Sequence, residues 1–117
     1  MPWLKMLRGE ITGRMFPLNN EVTVLGRDAA CEIVLSDQGV SKRHAKIIRK
    51  GDGFFIEDLH STNGTRVGDE CLTESRLLED GDLIEVGGTQ FAFAQGDSMI
   101  LSVLDVSSQT DPQIIRI

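Results

Sequence analysis

The stretch from Gly39 to Thr65 decides the fold, because it places two polar loops on either side of a predicted strand, turn and strand. The first loop is Ser41-Lys42-Arg43-His44, the second is Ser61-Thr62-Asn63-Gly64, and the turn Gly51-Asp52-Gly53 lies between them. Since the outer ends of a β-hairpin lie close together, the two loops should meet at one edge of a sheet. Hydroxyls, cations and a side-chain amide that converge there would suit an anion carried on a peptide.

Short apolar, β-branched segments continue on both sides of this unit, separated by Gly, Pro, Asn and Asp. They predict strands over residues 3–8, 14–18, 22–26, 33–35, 45–48, 54–58, 65–67, 70–72, 83–86, 89–94 and 99–106. We also predict one helical turn over 74–78, an edge strand at Pro17 and a two-residue hairpin turn at Gly87-Gly88. Short strands at nearly even spacing predict an all-β fold, with two antiparallel-type sheets packed as a sandwich.

Length and charge exclude several classes of protein. The chain has 117 residues, enough for one domain with one core, and a formal net charge of −6 that argues against general nucleic-acid binding. No apolar run is long enough to span a bilayer, and the N-terminus lacks the apolar segment of a signal peptide. We therefore expect a cytoplasmic protein with neither a nucleic acid nor a membrane as its partner. Its cations nevertheless cluster, at Lys42, Arg43, Lys46, Arg49 and Lys50.

The cysteines and histidines do not predict a metal site or an enzyme. Cys31 and Cys71 fall in predicted strands, and we expect free buried thiols, with no disulfide. Together with His44 and His60 they lack the close ligand spacing of a zinc site, so we expect no metal and no cofactor. His44 follows Ser41 by three residues, but nothing resembles a nucleophile elbow, and we predict no catalysis.

Three short motifs in order carry a family resemblance. Gly26-Arg27, then Ser41-x-x-His44, then Thr62-Asn63-Gly64 closely resemble the motifs of the forkhead-associated (FHA) domain, and the similarity covers roughly Trp3 to Leu104. Any one motif occurs by chance, whereas three in order with strand-like spacers are specific. The resemblance implies an FHA/SMAD-like β-sandwich whose loops at one end bind phosphothreonine peptides, without catalysis.

The resemblance also implies a set of site residues. Those that would surround the phosphate are Arg27, Ser41, Lys42 and Thr62. Asn63 would hold the peptide main chain, and the structural supports would be Gly26, His44 and Gly64. The residue types suit a group that carries about −1.5 to −2 charge and three acceptor oxygens. An arginine offers a rigid fork of donors, a lysine a mobile point charge, and hydroxyls short directional donors.

We therefore predict a phosphothreonine-dependent interaction module in intracellular, bacterial Ser/Thr-kinase signalling. The alternative is a phosphate-independent interaction or assembly domain with the same fold. We expect the domain to span residues 1–106 and residues 107–117 to be a linker-like tail, in which Thr110 could be a phosphosite. The apolar end of that tail, residues 114–117, suggests a chain cut from a larger signalling protein. Partner, kinase, peptide specificity and oligomeric state are left open by the sequence.

Overall fold

Strands make up the whole regular structure of the part of the chain that the computed structural model describes, residues 2–95. The eleven strands are β1 (Pro2–Arg8), β2 (Met15–Pro17), β3 (Val22–Gly26), β4 (Ile33–Val34), β5 (Ala45–Lys50), β6 (Gly53–Asp58), β7 (Thr65–Val67), β8 (Glu70–Cys71), β9 (Arg76–Leu77), β10 (Leu83–Val86) and β11 (Thr89–Gln95). The predicted all-β class is confirmed, and most predicted strands lie within two residues of the observed ones.

The strands form two sheets. One has the order β2-β1-β11-β10-β7-β8, and the other has the order β4-β3-β5-β6-β9. All registered pairs are antiparallel except β3 with β4, which is parallel. Pro17 lies in the edge strand β2, where its missing N–H costs no ladder bond, and Gly87 turns between β10 and β11 with φ of 61°. The predicted two-sheet sandwich, the edge strand at Pro17 and the hairpin turn at Gly87-Gly88 are confirmed.

The core lies between the sheets and follows the alternation of the strands. Phe91 and Phe93 are fully buried on one face of β11, as their spacing predicts. The ring of Phe93 lies 5.8 Å, centroid to centroid, from that of Phe54 in the other sheet. Burying a side chain of this size contributes roughly 1.5–3 kcal/mol. These contacts hold the two sheets together and fix where the connecting loops emerge.

The predicted helical turn over 74–78 is wrong. Arg76 and Leu77 form β9, which pairs with Ile56 and Phe55 of β6 in the five-stranded sheet. The N–H of Leu78 then donates to the carbonyl of Phe54 at 2.7 Å, and the Leu78 side chain is buried. A five-residue segment without caps gains little from helix formation, whereas the open edge of β6 offers immediate hydrogen bonds.

The prediction that both cysteines are free is confirmed, but each cysteine departs from the predicted buried position in a strand. Both thiols are free, but Cys31 lies in the loop between β3 and β4 rather than in a strand, and Cys71 in β8 is exposed. Burial, and then the nearby Asp28 carboxylate, raise the pKa of the Cys31 thiol, which donates to the carbonyl of Lys42 at 3.3 Å. Cys31 is thus a small buried donor rather than a nucleophile. The predicted strand over 99–106 and the domain boundary at 106 lie outside the described residues.

Candidate functional site

Three loops meet at one end of the sandwich, and backbone hydrogen bonds join them. The N–H groups of Arg27 and Asp28 donate to the carbonyls of Ser41 and Lys42, both at 3.1 Å. The N–H of Thr62 donates to the Ser41 hydroxyl oxygen at 3.0 Å. The loop after β3, the loop before β5 and the loop after β6 therefore form one continuous surface. The sequence expectation that the loops beside the β5–β6 hairpin meet at one edge is confirmed.

Arg27 stands at the start of this surface with a fixed guanidinium. Its Nε donates to the carbonyl of Val40, which ties the side chain to the loop before β5. The two terminal nitrogens have no hydrogen-bond partner among residues 2–95, and the residue is exposed. The guanidinium therefore keeps two donor groups for an external anion while its stem is held in place.

Ser41 and Thr62 lie side by side on neighbouring loops. The Ser41 oxygen already accepts the Thr62 N–H, so the hydroxyl keeps its hydrogen to donate. Thr62 is exposed, and its hydroxyl projects from the same loop that this bond anchors. Two hydroxyl donors are thus held close to each other on two loops of fixed separation.

Asn63 is fixed at the outer margin of the surface. Its Nδ2 donates to the carbonyl of Gly39 at 2.8 Å, and the residue is exposed. That bond uses one amide hydrogen and leaves the second hydrogen and the side-chain carbonyl for a ligand. An amide with one donor and one acceptor available matches the N–H and C=O of a peptide main chain.

Lys42 differs from the other four predicted site residues. Its carbonyl accepts the Asp28 N–H and the Cys31 thiol, whereas its side chain is exposed. Hydrogen bonds therefore hold the side chains of Arg27, Ser41 and Asn63 and the backbone of Thr62 on one surface, and Lys42 adds a mobile cation on the same loop.

His44 connects the two loops from beneath. The side chain is fully buried; its Nδ1 accepts the N–H of Ser41 at 3.0 Å, and its Nε2 lies 2.7 Å from the carbonyl of Gly64. Because a backbone N–H needs an acceptor and a carbonyl needs a donor, the hydrogen sits on Nε2 and the ring is neutral. One imidazole therefore sets the distance between the Ser41 loop and the Thr62 loop.

The two predicted structural glycines are required by local geometry. A Cβ at Gly26 would lie 2.1 Å from the carbonyl oxygen of Lys42, well inside van der Waals contact. Gly64 has φ of 82°, in the left-handed region where a side chain is strained. Gly26 thus lets the first two loops approach closely, and Gly64 turns the chain out of the third.

Sequence reasoning missed the support of the third loop by Asp58. The Asp58 carboxylate accepts hydrogen bonds from the Ser61 hydroxyl, the Ser61 N–H at 3.1 Å and the Thr65 hydroxyl at 2.7 Å. The Ser61 oxygen in turn accepts the Gly64 N–H at 2.9 Å, so this hydroxyl faces inward. The signal was present, since an Asp three residues before a Ser is typical of a side-chain-stabilised turn.

The hydrogen bonds to Asp58 change the pKa of its carboxyl, and the loop that they hold includes a residue in a left-handed conformation. Burial alone would raise the pKa of the Asp58 carboxyl, but the hydrogen bonds from Ser61 and Thr65 outweigh burial and hold that pKa below its ordinary value. His60, next in the loop, has φ of 58°, a left-handed conformation that is uncommon for residues other than glycine. The third loop is therefore held in a defined shape by the half-buried Asp58 and the buried Thr65.

Within residues 2–95, no three His, Cys, Asp or Glu side chains are grouped so that they could hold a metal ion. Over the same residues, no helix is long and apolar enough to cross a membrane.

Comparison with known proteins gives a family match over most of the chain. Residues 5–97 match the family model described as "Inner membrane component of T3SS, cytoplasmic domain". The oxoglutarate dehydrogenase inhibitor of Corynebacterium jeikeium is 39% identical over 93 residues, which are 80% of this chain and 64% of that protein. The chain thus spans less than two thirds of the length of this curated relative.

Solved structures agree more completely in length. The FHA domain of the CT664 protein from Chlamydia trachomatis is 32% identical with a TM-score of 0.76, covering 82% of this chain and 98% of that one. A structure described as "Structural and functional analysis of phosphothreonine-dependent FHA domain interactions" is 31% identical with a TM-score of 0.74, covering 82% of this chain and 97% of that one.

The fold and the loop surface define a β-sandwich interaction module. The chain belongs to the forkhead-associated domain family, and the matched family model describes a domain with the same type of fold.

Proposed function

We propose that this domain binds phosphothreonine peptides through Arg27, Ser41, Lys42, Thr62 and Asn63, as a module of intracellular Ser/Thr-kinase signalling. The observation that carries the proposal is a set of hydrogen bonds that holds three side chains and the Thr62 backbone on one surface: Arg27 Nε donates to the Val40 carbonyl, the Thr62 N–H donates to the Ser41 hydroxyl oxygen, and Asn63 Nδ2 donates to the Gly39 carbonyl. One similar solved structure is described as an analysis of phosphothreonine-dependent FHA domain interactions, which supports the same chemistry here.

Each side chain has a distinct part in the proposed complex. The terminal nitrogens of Arg27 donate to two phosphate oxygens, and the hydroxyls of Ser41 and Thr62 donate to the remaining lone pairs. Lys42 adds charge without fixed geometry. Asn63 bonds the peptide main chain and positions the phosphothreonine over the loops. Gly26, His44 and Gly64 act through the loops and do not touch the peptide.

The expected affinity is micromolar. A hydrogen bond to a charged group is worth about 1.5–3 kcal/mol, and three or four such bonds are offset by desolvation and by ordering of the peptide. The loops are already held by His44 and Asp58, so little loop ordering is added to that cost. The acidic surplus of the chain is screened within about 8 Å at physiological salt, so the local cations dominate the approach of the phosphate.

The geometry disfavours a Ser/His hydrolase. The Nδ1 of His44 accepts the backbone N–H of Ser41, and its Nε2 faces the Gly64 carbonyl. Neither ring nitrogen is available to take a proton from the Ser41 hydroxyl, which a nucleophilic serine needs. We therefore propose an interaction module without catalytic activity, acting in the cytoplasm as part of a longer protein.

The test is a titration with matched peptides that differ only at one residue: phosphothreonine, phosphoserine and unmodified threonine. We expect binding to phosphothreonine, weaker binding to phosphoserine and none to unmodified threonine. Arg27→Ala should abolish binding, while Arg49→Ala, an exposed arginine at the far end of β5, should leave the affinity within about twofold. Circular dichroism melting of both variants would show that the fold is retained.

Two results would contradict the proposal. Equal affinity for phosphorylated and unmodified peptides would exclude phosphate recognition. Equal loss in Arg27→Ala and Arg49→Ala would show that only general charge attracts the peptide.

A phosphate-independent interaction through a sheet face is the second candidate function. Apolar side chains on the outer face of the five-stranded sheet favour it, since Val22 is 42% exposed and Leu77 is 46% exposed. A protein partner whose binding survives Arg27→Ala but not Leu77→Ser would establish this second function.

A further inference from the structure

An apolar row crosses the outer face of the five-stranded sheet. Val22 of β3 is the register partner of Ile48 in β5, Ile48 is the partner of Phe55 in β6, and Phe55 is the partner of Leu77 in β9. Residues in register point to the same face, so the four side chains lie side by side. At about 4.8 Å between strands, the row is roughly 14 Å long.

The row is apolar along its length, with a cation at one side of it and an ion pair at the other. The two outer members, Val22 and Leu77, are exposed, while Ile48 and Phe55 are half-buried by their neighbours. The ammonium of Lys50 lies 5.4 Å from the centroid of the Phe55 ring. On the other side, Lys46 lies 3.9 Å from the Glu57 carboxylate, in the next row along the strands. An apolar segment that carries an acidic residue for Lys50 would complement this surface.

The described chain ends close to this face. Gln95 is the last residue of β11, and its side-chain Nε2 donates to the carbonyl of Asp52 at 3.3 Å. Asp52 is in the turn between β5 and β6, whose last register pair is Lys50 with Gly53. The Ile48–Phe55 pair of the apolar row lies two residues along these strands from the Lys50–Gly53 pair, which is about 7 Å. The chain therefore leaves the six-stranded sheet at the margin of the five-stranded one.

We propose that the segment from Met99 to Val106 of the same chain docks on this row. Six of its eight residues are apolar, and acids stand before it at Asp97 and within it at Asp105. The connecting residues 96–98 reach up to about 11 Å, and the eight-residue segment reaches up to about 29 Å when extended, twice the length of the row. Reach, apolar content and charge all fit the surface.

Covalent connection makes even a weak contact sufficient. A short tether gives an effective concentration of the order of millimolar, so docking needs no high intrinsic affinity. Docking would place the domain boundary at residue 106. It would also remove the row from any other partner, so that release of the segment and exposure of the face would be one event.

The test is paramagnetic broadening of amide resonances in the full chain. A spin label is attached at Ser107→Cys in a Cys71→Ser background, because Cys71 is the exposed thiol of the two. We expect Ile48, Phe55 and Leu77 to broaden several-fold more than Leu83 and Ala92, which face outward from the other sheet. Leu101→Ser combined with Leu104→Ser should abolish that difference.

A matched pair of variants separates docking from simple proximity. Leu77→Ser removes one member of the row, whereas Leu83→Ser removes an equally exposed leucine, 45% against 46%, from the other sheet. The broadening at Ile48 should fall in the first and persist in the second. Equal broadening of both sheets would overturn the proposal. So would transfer of the broadening to unlabelled protein in a mixed sample, because that result would assign the row to a second copy of the chain.

Discussion

The two ends of the β5–β6 hairpin differ in how their side chains are held. At the loop end, the Ser41 and Asn63 side chains and the Thr62 backbone are held by hydrogen bonds to neighbouring loops, with His44 buried beneath them. Toward the turn end, Ile48 and Phe55 present an apolar face without polar ties. Fixed polar groups at the loop end suit a charged ligand with directional hydrogen bonds, and the apolar face suits an apolar chain. One pair of strands thus supports two chemically separate surfaces.

The largest expected effect comes from a side chain that fills the space between the first two loops. Gly26→Ala places a methyl group 2.1 Å from the Lys42 carbonyl, which the rigid backbone cannot accommodate without moving. We expect a loss of about 3 kcal/mol or more in the free energy of unfolding, together with loss of phosphopeptide binding. Urea denaturation followed by peptide titration measures both. Gly51→Ala, in the far turn where a Cβ meets no atom within 4 Å, is the control for space, although its φ of 61° costs some strain. Equal destabilisation by the two variants would contradict the close approach of the loops.

The next effect concerns binding without unfolding. Ser41→Ala removes the acceptor of the Thr62 N–H and one donor to the phosphate. We expect the affinity for a phosphothreonine peptide to fall roughly 10- to 100-fold, since each such bond is worth about 1.5–3 kcal/mol. Ser36→Ala, an exposed serine bonded to Glu10 outside the proposed site, should change the affinity less than twofold. Isothermal titration calorimetry measures the peptide affinity of both variants. An unchanged affinity in Ser41→Ala would show that this hydroxyl is not part of the site.

A smaller effect depends on pH. Because the pKa of Asp58 is lower in the folded protein than in the unfolded chain, its carboxylate stabilises the fold above its ordinary pKa. That stabilisation is lost as the pH falls through the folded-state pKa. Asp58→Asn should therefore lower the melting temperature at pH 7. The difference in melting temperature between this variant and the parent protein should be smaller near pH 3. A difference that stayed constant from pH 7 to pH 3 would show that the carboxylate charge does not support the third loop.

The smallest effect on stability belongs to the sheet face. Leu77→Ser changes a half-exposed side chain at an edge strand, so the free energy of unfolding should shift by about 0.5 kcal/mol or less. Phosphopeptide affinity should be unchanged, because Leu77 pairs with Phe55 on the outer sheet face and belongs to none of the three loops. A large loss of phosphopeptide binding in this variant would contradict the independence of the two surfaces.

Sequence reasoning predicted the loop end better than the sheet face. Gly26-Arg27, the Ser41 loop and the Thr62 loop are local motifs, and hairpin geometry alone predicts that the last two meet. The spacing of Asp58 and Ser61 signals a side-chain-stabilised turn, but the inward direction of the Ser61 hydroxyl depends on a side-chain rotamer in the folded loop.

Strand register and edge pairing were harder to predict from the sequence. Val22 and Leu77 are far apart in sequence, and only the pairing of four strands aligns them. β9 itself is two residues long and forms because β6 offers an open edge, which no local propensity reports.

The central claim is that the three loops form one phosphothreonine-binding surface. Amide chemical-shift mapping of the full chain, titrated with a phosphothreonine peptide, tests it most directly. We expect saturable shifts at Arg27, Ser41, Thr62 and Asn63, with little change at Ile48 and Phe55. Shifts confined to the outer face of the five-stranded sheet, or none with the phosphorylated peptide, would contradict it.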